Sequence, residues 1–432
     1  MQKKHNAKKP WTVFIAILLA IAVGCVIEKE TLIWKISVYD VFDTIGNLFL
    51  NALTLVVVPL VSSSIISGIA RMGGDGNFGR LGAKMFFFYL TTSLAAILIG
   101  LFFVNLIGPG QYETPVPVSD TIATQLSTLK EQVTTNSGAT FLTILQQIIP
   151  SNILMALSKG HMLSLIFFSL LFGYCITKID SQPATTLNHF FQGIFQTMIR
   201  FTQIVMKVLP IGVFCLIAKV FMTTGISSLK SVALFFVTVL LALAAFTFIA
   251  LPLFLRLIAQ VSPLKHFRAM APALITAFST SSSSATLPIT IDCVEKRAGV
   301  SNRICSLVVP LGTSINMSGS ALYECVAAMF VAQAYGIHLD FPTQFLVVLM
   351  ALITSIGVAG IPSASLVAIL VILKVIGLPP EGLGLFIAVD RILDMCRTTV
   401  NVFSDSCCAV LVAKSEGEKN VLVQEVNLSQ DS

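Results

Sequence analysis

Long apolar segments recur along the whole chain, and most polar positions lie in short stretches between them. Six segments contain no Asp, Glu, Lys or Arg, namely 45–70, 85–112, 133–158, 231–255, 269–291 and 341–373. Each is long enough for a helix to cross a hydrocarbon core of about 30 Å, which takes roughly 20 residues. This repeated pattern predicts an all-α, multi-pass membrane protein.

The first two thirds of the chain predict ordinary membrane helices. We expect helices near 11–28, 41–70, 84–107, 140–178 with a break at 159–160, 194–224 and 229–258. Composition supports this reading, since only 11% of the residues are charged whereas soluble domains have about 25%.

Two later segments are too irregular for straight helices. Segment 341–373 would be about 50 Å long as one helix, yet its middle, SIGVAGIPSAS, contains Gly357, Gly360 and Pro362, which break helices. Segment 277–290, AFSTSSSSATLPIT, has a serine run of the same kind. Because lipid tolerates irregular backbone only where protein or a watery cavity surrounds it, both segments predict re-entrant hairpins. For the serine run, an ordinary surface loop is the alternative.

Each predicted hairpin is followed by a helix with polar residues at its centre. The first reads LGTSINMSGSALYE over 311–324, and the second reads DRILDMCRTTVNVFSD over 390–405. Two such units entering from opposite faces predict an inverted repeat with a substrate site at the junction. The predicted fold therefore has eight transmembrane helices, two re-entrant hairpins and inverted repeats.

The second polar helix has five polar residues on one side. Asp390, Asp394, Arg397, Asn401 and Asp405 lie within about 80° of one another at 100° per residue. Intramembrane ionisable residues usually mark a substrate or ion pathway, although a structural ion-pair network is the alternative. No carboxylate lies at i±4 from Arg397, which favours a guanidinium that is available for a carboxylate ligand.

Charge distribution sets the expected orientation. The net charge is +6, but the basic residues are spread among short loops, which argues against a nucleic-acid partner. The positive-inside rule places these loops and both termini in the cytoplasm, and the polar stretch 108–140 outside. The nine cysteines contain no CxxC pair, so we expect neither a disulfide framework nor a zinc site.

Four motifs together resemble one known family. The serine-rich tip, NMxGxxLYE, GxAGxP and DxxLDMxRTxVNVxxD occur in the order found in the glutamate/aspartate transporter family of dicarboxylate/amino acid:cation symporters. The resemblance covers nearly the whole chain. It implies a homotrimer in the plasma membrane, here the bacterial inner membrane, with a scaffold and a transport domain in each subunit. The implied division is 1–70 scaffold helices 1 and 2, 71–139 transport-domain helix 3 and external loop, 140–228 scaffold helices 4 and 5, 229–265 transport-domain helix 6, 266–336 hairpin 1 and helix 7, 337–414 hairpin 2 and helix 8, and 415–432 cytoplasmic tail.

The resemblance also implies the substrate site. Arg397, supported by the Ser320 hydroxyl, would bind the side-chain carboxylate of an acidic amino acid, and Asp394 its amino group. The full implied set is Ser282, Ser283, Ser284, Ser320, Ile361, Asp394, Arg397, Thr398 and Asn401.

Three sodium sites are implied by the same resemblance. One uses Asp405 with carbonyls of Gly312, Asn316 and Asn401, a second uses carbonyls of Ser314, Ser355, Ile356 and Val358, and a third uses Tyr89, Thr92, Ser93 and Asn316. Oxygen atoms of this kind suit a hard cation.

This sequence departs from the family at the third site. Relatives usually have Asp where this chain has Ser318, so we expect two sodium ions and treat the third as doubtful. Glu324 matches the proton carrier of eukaryotic relatives, which makes protons a further coupling ion. Ser281 and Met395 stand where different relatives have an arginine.

The predicted function is therefore secondary symport of glutamate or aspartate driven by sodium and/or proton gradients, and not an enzymatic activity. C4-dicarboxylate or cystine symport and a substrate-gated anion channel are alternatives. An intramembrane enzyme is disfavoured, because the serine run has no partnered base and His161, His189, His266 and His338 are scattered.

Overall fold

The computed structural model describes residues 9–27, 30–33, 36–72, 78–111, 152–153, 155, 162–205, 207–224, 228–357 and 365–422. Nearly all of these residues are helical, as the sequence predicts. Several predicted features lie outside the described residues, namely the break at 159–160, most of the loop predicted to be external, the tail beyond 422 predicted to be cytoplasmic, and the expected ligands Val358 and Ile361.

The N-terminal half contains six described helices and one short strand pair. They are α1 (Lys9–Val26), β1 (Leu32–Ile33) paired antiparallel with β2 (Ile36–Ser37), α2 (Val38–Met72), α3 (Phe78–Ile107), α4 (Met162–Ile176), α5 (Ser181–Val205) and α6 (Leu209–Thr224). Helix α2 packs against α4, α5 and α6, and α1 packs against α6. Helices α1, α2, α4, α5 and α6 correspond to the segments for which we expect a scaffold role, whereas α3 falls in the expected transport domain. That domain division stays a prediction.

The prediction of one helix over 194–224 was wrong. The structure has two helices, α5 and α6, bent by 58°. Helix α5 begins at Ser181, earlier than predicted. The prediction missed its first turns because their sequence, SQPATTLNH, is polar and gives no apolar signal. Pro210 follows the bend, where its missing N–H is tolerated in the first turn of a new helix.

Residues 228–357 and 365–422 contain nine helices interrupted by short irregular turns. They are α7 (Ser228–Ala245), a π-turn (Phe246–Ala250), α8 (Leu251–Leu257), α9 (Pro263–Thr280), α10 (Ser283–Asp292), a π-turn (Cys293–Arg297), α11 (Asn302–Ile315), α12 (Ser318–Ala334), α13 (Phe341–Gly357), α14 (Ser365–Val375), a 3-10 turn (Pro380–Leu385) and α15 (Ile387–Ser415).

Both segments predicted as hairpins consist of two helices in contact. Helices α9 and α10 pack together across a break at Ser281, which has a left-handed φ of 51°. Helices α13 and α14 pack together as well. The break after α9 is shorter than expected, since Ser283 and Ser284 already belong to the first turn of α10. Re-entry from opposite membrane faces stays a prediction.

The first polar segment is not one helix, and our placement of Asn316 was wrong. The predicted helix over 311–324 would place Asn316, Ser320 and Glu324, four residues apart, on one side, but Asn316 and Met317 lie in a break between α11 and α12 with non-helical backbone angles. The break leaves the last carbonyls of α11 and the first amides of α12 without helical partners. Only Ser320 and Glu324 share a helix.

Burial separates central helices from peripheral ones. Helix α12 is buried around its whole circumference, and it packs against α3, α13, α14 and α15. Helices α3 and α7 instead expose large apolar side chains on one side. A helix that is apolar outside as well as inside matches a lipid environment.

Three continuous helical stretches are long and apolar enough to cross a membrane, within the described residues. They are Arg80–Ile107, Lys230–Leu257 and Asn302–Ala334. The bent pair α5 and α6 gives a fourth if it acts as one span. This supports a multi-pass membrane protein, while the count of eight crossings stays a prediction.

The residues after α15 form a short C-terminal strap, 416–422. Glu416 pairs with Lys84 of α3, the amide of Ser301 donates to Glu418 over 3.1 Å, and the amide of Leu422 donates to Ala298 O over 2.9 Å. Hydrogen bonding to Lys84 lowers the pKa of Glu416. Its small contribution to stability is therefore present above the pKa of the unfolded chain, about 4.3, and is lost as the pH falls through the lowered folded-state pKa.

We expect Gly299→Ala to destabilise the strap. Gly299 has a φ of +75°, and an added Cβ would lie 2.8 Å from the backbone oxygen of Asn420. The matched control is Gly417→Ala, because Gly417 has a φ of +87° but no atom within 4 Å of the added Cβ. The control should cost about 1 kcal/mol from the left-handed backbone alone, and Gly299→Ala clearly more. Thermal unfolding in detergent measures both, and equal losses would contradict the steric argument.

Candidate functional site

The polar stripe on α15 is buried as the sequence predicts. Asp390, Asp394, Arg397, Asn401 and Asp405 are each at most 5% exposed. They lie on a helix that packs against α3, α7, α9, α11 and α12. Burying so many ionisable groups is unfavourable unless each has partners.

Arg397 is held by two carboxylates of its own helix. Its Nη1 lies 3.1 Å from Asp390 Oδ1, and its Nη2 lies 2.7 Å from Asp394 Oδ1. The guanidinium carbon stacks 3.8 Å from the ring centroid of Tyr323, whose hydroxyl donates to Asp390 over 3.0 Å.

This arrangement corrects the expectation that Arg397 lacks a nearby carboxylate. The i±4 rule overlooked Asp394 at i−3, an equally close neighbour on a helix, and Asp390 two turns away. A guanidinium has five N–H donors. Its Nε is buried without a partner among the described residues, so the group retains unused hydrogen-bonding capacity.

Asn401 joins the stripe to the start of α12. Its Oδ1 accepts from the amides of Gly319 and Ser320 over 2.8 and 3.2 Å, and its Nδ2 donates to Ser320 Oγ over 3.1 Å. A side chain of α15 thereby caps the N-terminus of α12. A Cβ at position 319 would lie 2.9 Å from Arg397 O, so this approach requires glycine.

The predicted serine ligands lie at the N-terminus of α10. Ser282 is the N-cap residue and accepts from the Ala285 amide over 3.2 Å. Ser283 is buried and Ser284 is exposed. Helix α10 packs against α15. The first amides of a helix have no intrahelical acceptor and favour an anion.

A second group of polar residues, here called the hydroxyl cluster, surrounds the break before α12. Asn316 Oδ1 accepts from Thr92, Ser93 and Ser318 over 3.3, 3.2 and 3.0 Å. Ser318 Oγ also lies 3.2 Å from Ser93 Oγ and 3.1 Å from Ser404 Oγ. The cluster (Thr92, Ser93, Asn316, Ser318, Ser404) is fully or almost fully buried.

Asp405 lies beside the hydroxyl cluster. Its Oδ1 accepts from Asn316 Nδ2 over 2.9 Å, while its Oδ2 has no hydrogen-bond partner among the described residues. A Cβ on Gly312 would lie 2.6 Å from Oδ1, so only glycine permits this approach. The structure therefore brings together Asp405, Gly312 and Asn316, and their joint role as cation ligands stays a prediction.

Sequence reasoning missed two members of this neighbourhood. Ser404 belongs to the hydroxyl cluster, and the Cys408 thiol lies 3.6 Å from Thr92 Oγ1 and 3.7 Å from Asn316 Nδ2. The signal was their spacing of three residues from Asn401 and Asp405 along α15, which places them next to the stripe.

The remaining predicted ligands are distributed as follows. Tyr89 is near the hydroxyl cluster, but its hydroxyl donates to the Val308 carbonyl. Thr398 is buried on α15. Ser355 is buried near the end of α13, and it lines a cleft with Tyr89, Ser93 and Ile315. Ser314 lies in the last turn of α11 and Ile356 in that of α13.

Glu324 lies on α12, fully buried. Thr354 of α13 donates to its Oε2 over 2.8 Å. The carboxyl group therefore connects the central helix to the first arm of the second predicted hairpin.

Comparison with known proteins agrees with these motifs and this geometry. The chain is 35% identical over 411 residues to the proton/sodium-glutamate symport protein of Bacillus caldotenax, covering 95% of each chain. It is 34% identical to the proton/glutamate-aspartate symporter of Escherichia coli K12, covering 94% of this chain and 92% of the relative. Identity to the mouse excitatory amino acid transporter 3 is 32%, over 96% of this chain and 87% of that one. Residues 10–415 match the sodium:dicarboxylate symporter family, and the chain belongs to this family.

Proposed function

We propose that the protein is a secondary active symporter that takes up glutamate or aspartate, driven by sodium and/or proton gradients. The buried Arg397, bound by Asp390 and Asp394 on a central helix, is the observation that carries the proposal. Names of similar proteins that refer to glutamate and aspartate support it. We further propose that it acts as a homotrimer in the bacterial inner membrane, with both termini in the cytoplasm.

An acidic amino acid suits the Arg397–Asp394 pair because it carries a side-chain carboxylate for Arg397 and a protonated amino group for Asp394. Its amino group binds Asp394, which releases Nη2 of Arg397 for the side-chain carboxylate of the substrate. Each buried charge thus exchanges one partner for another and none is left alone. Ser320, Thr398, Asn401, the serines at the start of α10 and the backbone at Ile361 complete the proposed site.

The same exchange disfavours the alternative substrates. A C4-dicarboxylate has no amine, so Asp394 would lose the 2.7 Å contact with Arg397 and keep only the longer one to Arg391 Nη1, 3.6 Å from its Oδ2. Cystine has amines but no terminal acidic side chain of glutamate length. An anion channel requires rings of basic groups, whereas Arg397 is one cation between two carboxylates.

One group of oxygens among the described residues suits a bound cation, and the family resemblance implies two further sites. Asp405 has one unpartnered buried oxygen, and the broken helix beside it frees carbonyls for a hard cation. We propose sodium there, held by Asp405 with Gly312, Asn316 and Asn401. A second site uses Ser314, Ser355, Ile356 and Val358. The third predicted site, with Tyr89, Thr92, Ser93 and Asn316, has only neutral oxygens beside Ser318 and holds sodium weakly.

Uptake into proteoliposomes tests the proposed substrate. Labelled glutamate, aspartate, succinate and cystine are compared while sodium, proton and potassium gradients are imposed separately. Arg397→Lys keeps the charge and loses the planar fork, so glutamate and aspartate affinity should fall at least about tenfold, the loss of one charge-assisted hydrogen bond. Unchanged affinity in this variant, or wild-type preference for succinate, would sink the assignment.

Glu324→Gln should abolish the pH dependence of net uptake and leave exchange of internal for external substrate largely intact. The amide keeps the size and the hydrogen bond from Thr354 but carries no titratable proton. Thr354→Val is the matched control, since it removes that hydrogen bond and preserves the carboxyl group. A wild-type protein that ignores both pH and a proton gradient would refute a proton-carrying role.

Ser318→Asp should increase apparent sodium affinity and steepen the sodium dependence of substrate binding. A carboxylate attracts a buried cation strongly where the surroundings screen poorly, whereas a hydroxyl supplies only a dipole. Ser318→Asn has the same size as Asp without charge and separates electrostatics from crowding against Ser404. Reversal potentials give the stoichiometry, and three sodium ions per substrate in the wild type would show that neutral oxygens suffice.

A further inference from the structure

One buried histidine lies outside the proposed substrate and ion sites. His266, in the first turn of α9, has no solvent exposure. Its Nε2 lies 2.9 Å from Ser406 Oγ on α15. Its Nδ1 has no hydrogen-bond partner among the described residues.

Two hydrogen bonds link His266 to the backbone of α15 through Ser406. When the Ser406 hydroxyl donates to Phe403 O over 2.7 Å, its Oγ accepts from a protonated His266 Nε2. In the other imidazole tautomer the hydroxyl donates to Nε2 instead, and the contact between α9 and α15 is kept in either case.

Aromatic rings reinforce the same contact. Phe267 stacks on Phe403 with centroids 4.1 Å apart, and Phe248 stacks on Phe267 at 5.7 Å. The His266 ring lies 5.4 Å from Phe403. The start of α9 therefore holds one turn of α15, residues 403–406, by packing and by one hydrogen bond.

That turn of α15 also carries the proposed cation ligand. At 100° per residue, Phe403 and Ser406 lie about 60° apart, and Asp405 lies at least about 100° from either. One side of the turn is thus fixed by α9, and the other side presents Ser404 and Asp405 to the hydroxyl cluster. A rotation of the turn would move Asp405 relative to Gly312 and Asn316.

We propose that His266 is a positioning residue which, through Ser406, orients the turn that carries Asp405 and thereby sets cation affinity. The inference rests on the proposed function, since it takes Asp405 as a cation ligand. It also gives α9 a role in coupling, because the helix extends from His266 to the serine break at Ser281, over about 22 Å.

Sodium binding in the absence of substrate is the direct test. The sodium-dependent rise of the unfolding temperature of the detergent-solubilised protein reports cation binding without transport. His266→Phe keeps ring volume and stacking but has no donor. It should raise the sodium concentration for half-maximal effect by about three- to tenfold, as expected for one lost hydrogen bond.

Three further variants separate positioning from packing. Ser406→Ala should shift sodium dependence as much as His266→Phe, and the double variant no further, because both remove one link. His266→Gln, which retains a donor, should recover part of the affinity. Phe267→Leu, which weakens the stacking on Phe403 but keeps the hydrogen bond from His266, should lower the unfolding temperature and shift the half-maximal sodium concentration less than His266→Phe does.

The outcomes distinguish this inference from the proposed function. If the wild type responds to sodium and His266→Phe does not shift the response, positioning by His266 is wrong and the proposed symport stands. Additive effects of His266→Phe and Ser406→Ala would likewise overturn it. If neither sodium nor a proton gradient affects the wild-type protein, the proposed function fails and this inference fails with it.

Discussion

Burial of one guanidinium is the constraint on which the rest of the structure depends. Arg397 has no contact with solvent, and an unpaired charge there would be strongly unfavourable. Asp390, Asp394 and the ring of Tyr323 supply its partners, and Tyr323 requires α12 to lie directly against α15. The close approach at Gly319 and the cap from Asn401 follow from that packing. The burial of Arg397 and the position of α12 against α15 therefore depend on each other.

The hydroxyl cluster solves a different problem with neutral groups. Asn316 Oδ1 accepts hydrogen bonds from three hydroxyl side chains. These buried hydroxyl groups therefore have a hydrogen-bond acceptor without a second carboxylate. Asp405 has the only carboxyl group in contact with the cluster among the described residues, and one of its oxygens is unpartnered. The buried negative charge that lacks a partner in the described part of the chain is thus located at Oδ2 of Asp405. The hydroxyl groups around it can rotate.

The sequence predicted which segments carry buried polar residues better than it predicted the contacts between those residues. Periodicity identified the stripe on α15, and glycine, proline and serine content identified both interrupted segments, because these signals are local. The partners of Arg397 were missed because only the i±4 spacing was considered, although Asp394 at i−3 is visible in the sequence. The break was missed because its own two residues, Asn316 and Met317, are neither glycine nor proline. The contacts of Asn316 with Thr92 and Ser93 depend on α3, more than 220 residues away. The start of α5 was missed because its exposed turns are polar.

The C-terminal strap has a consequence for how the protein is made. Lys84 and Glu416 are 332 residues apart in the chain, so α3 is synthesised long before its partner at the C-terminal end of α15. Contacts of such long sequence separation form late, and surfaces awaiting them stay exposed meanwhile. Lys84 of α3 and the connection at 298–301 must therefore wait for their strap contacts until translation is nearly complete. A ribosome stalled before the strap would hold a chain in which α15, with its buried polar stripe, is present but lacks the contacts of the strap at its C-terminal end.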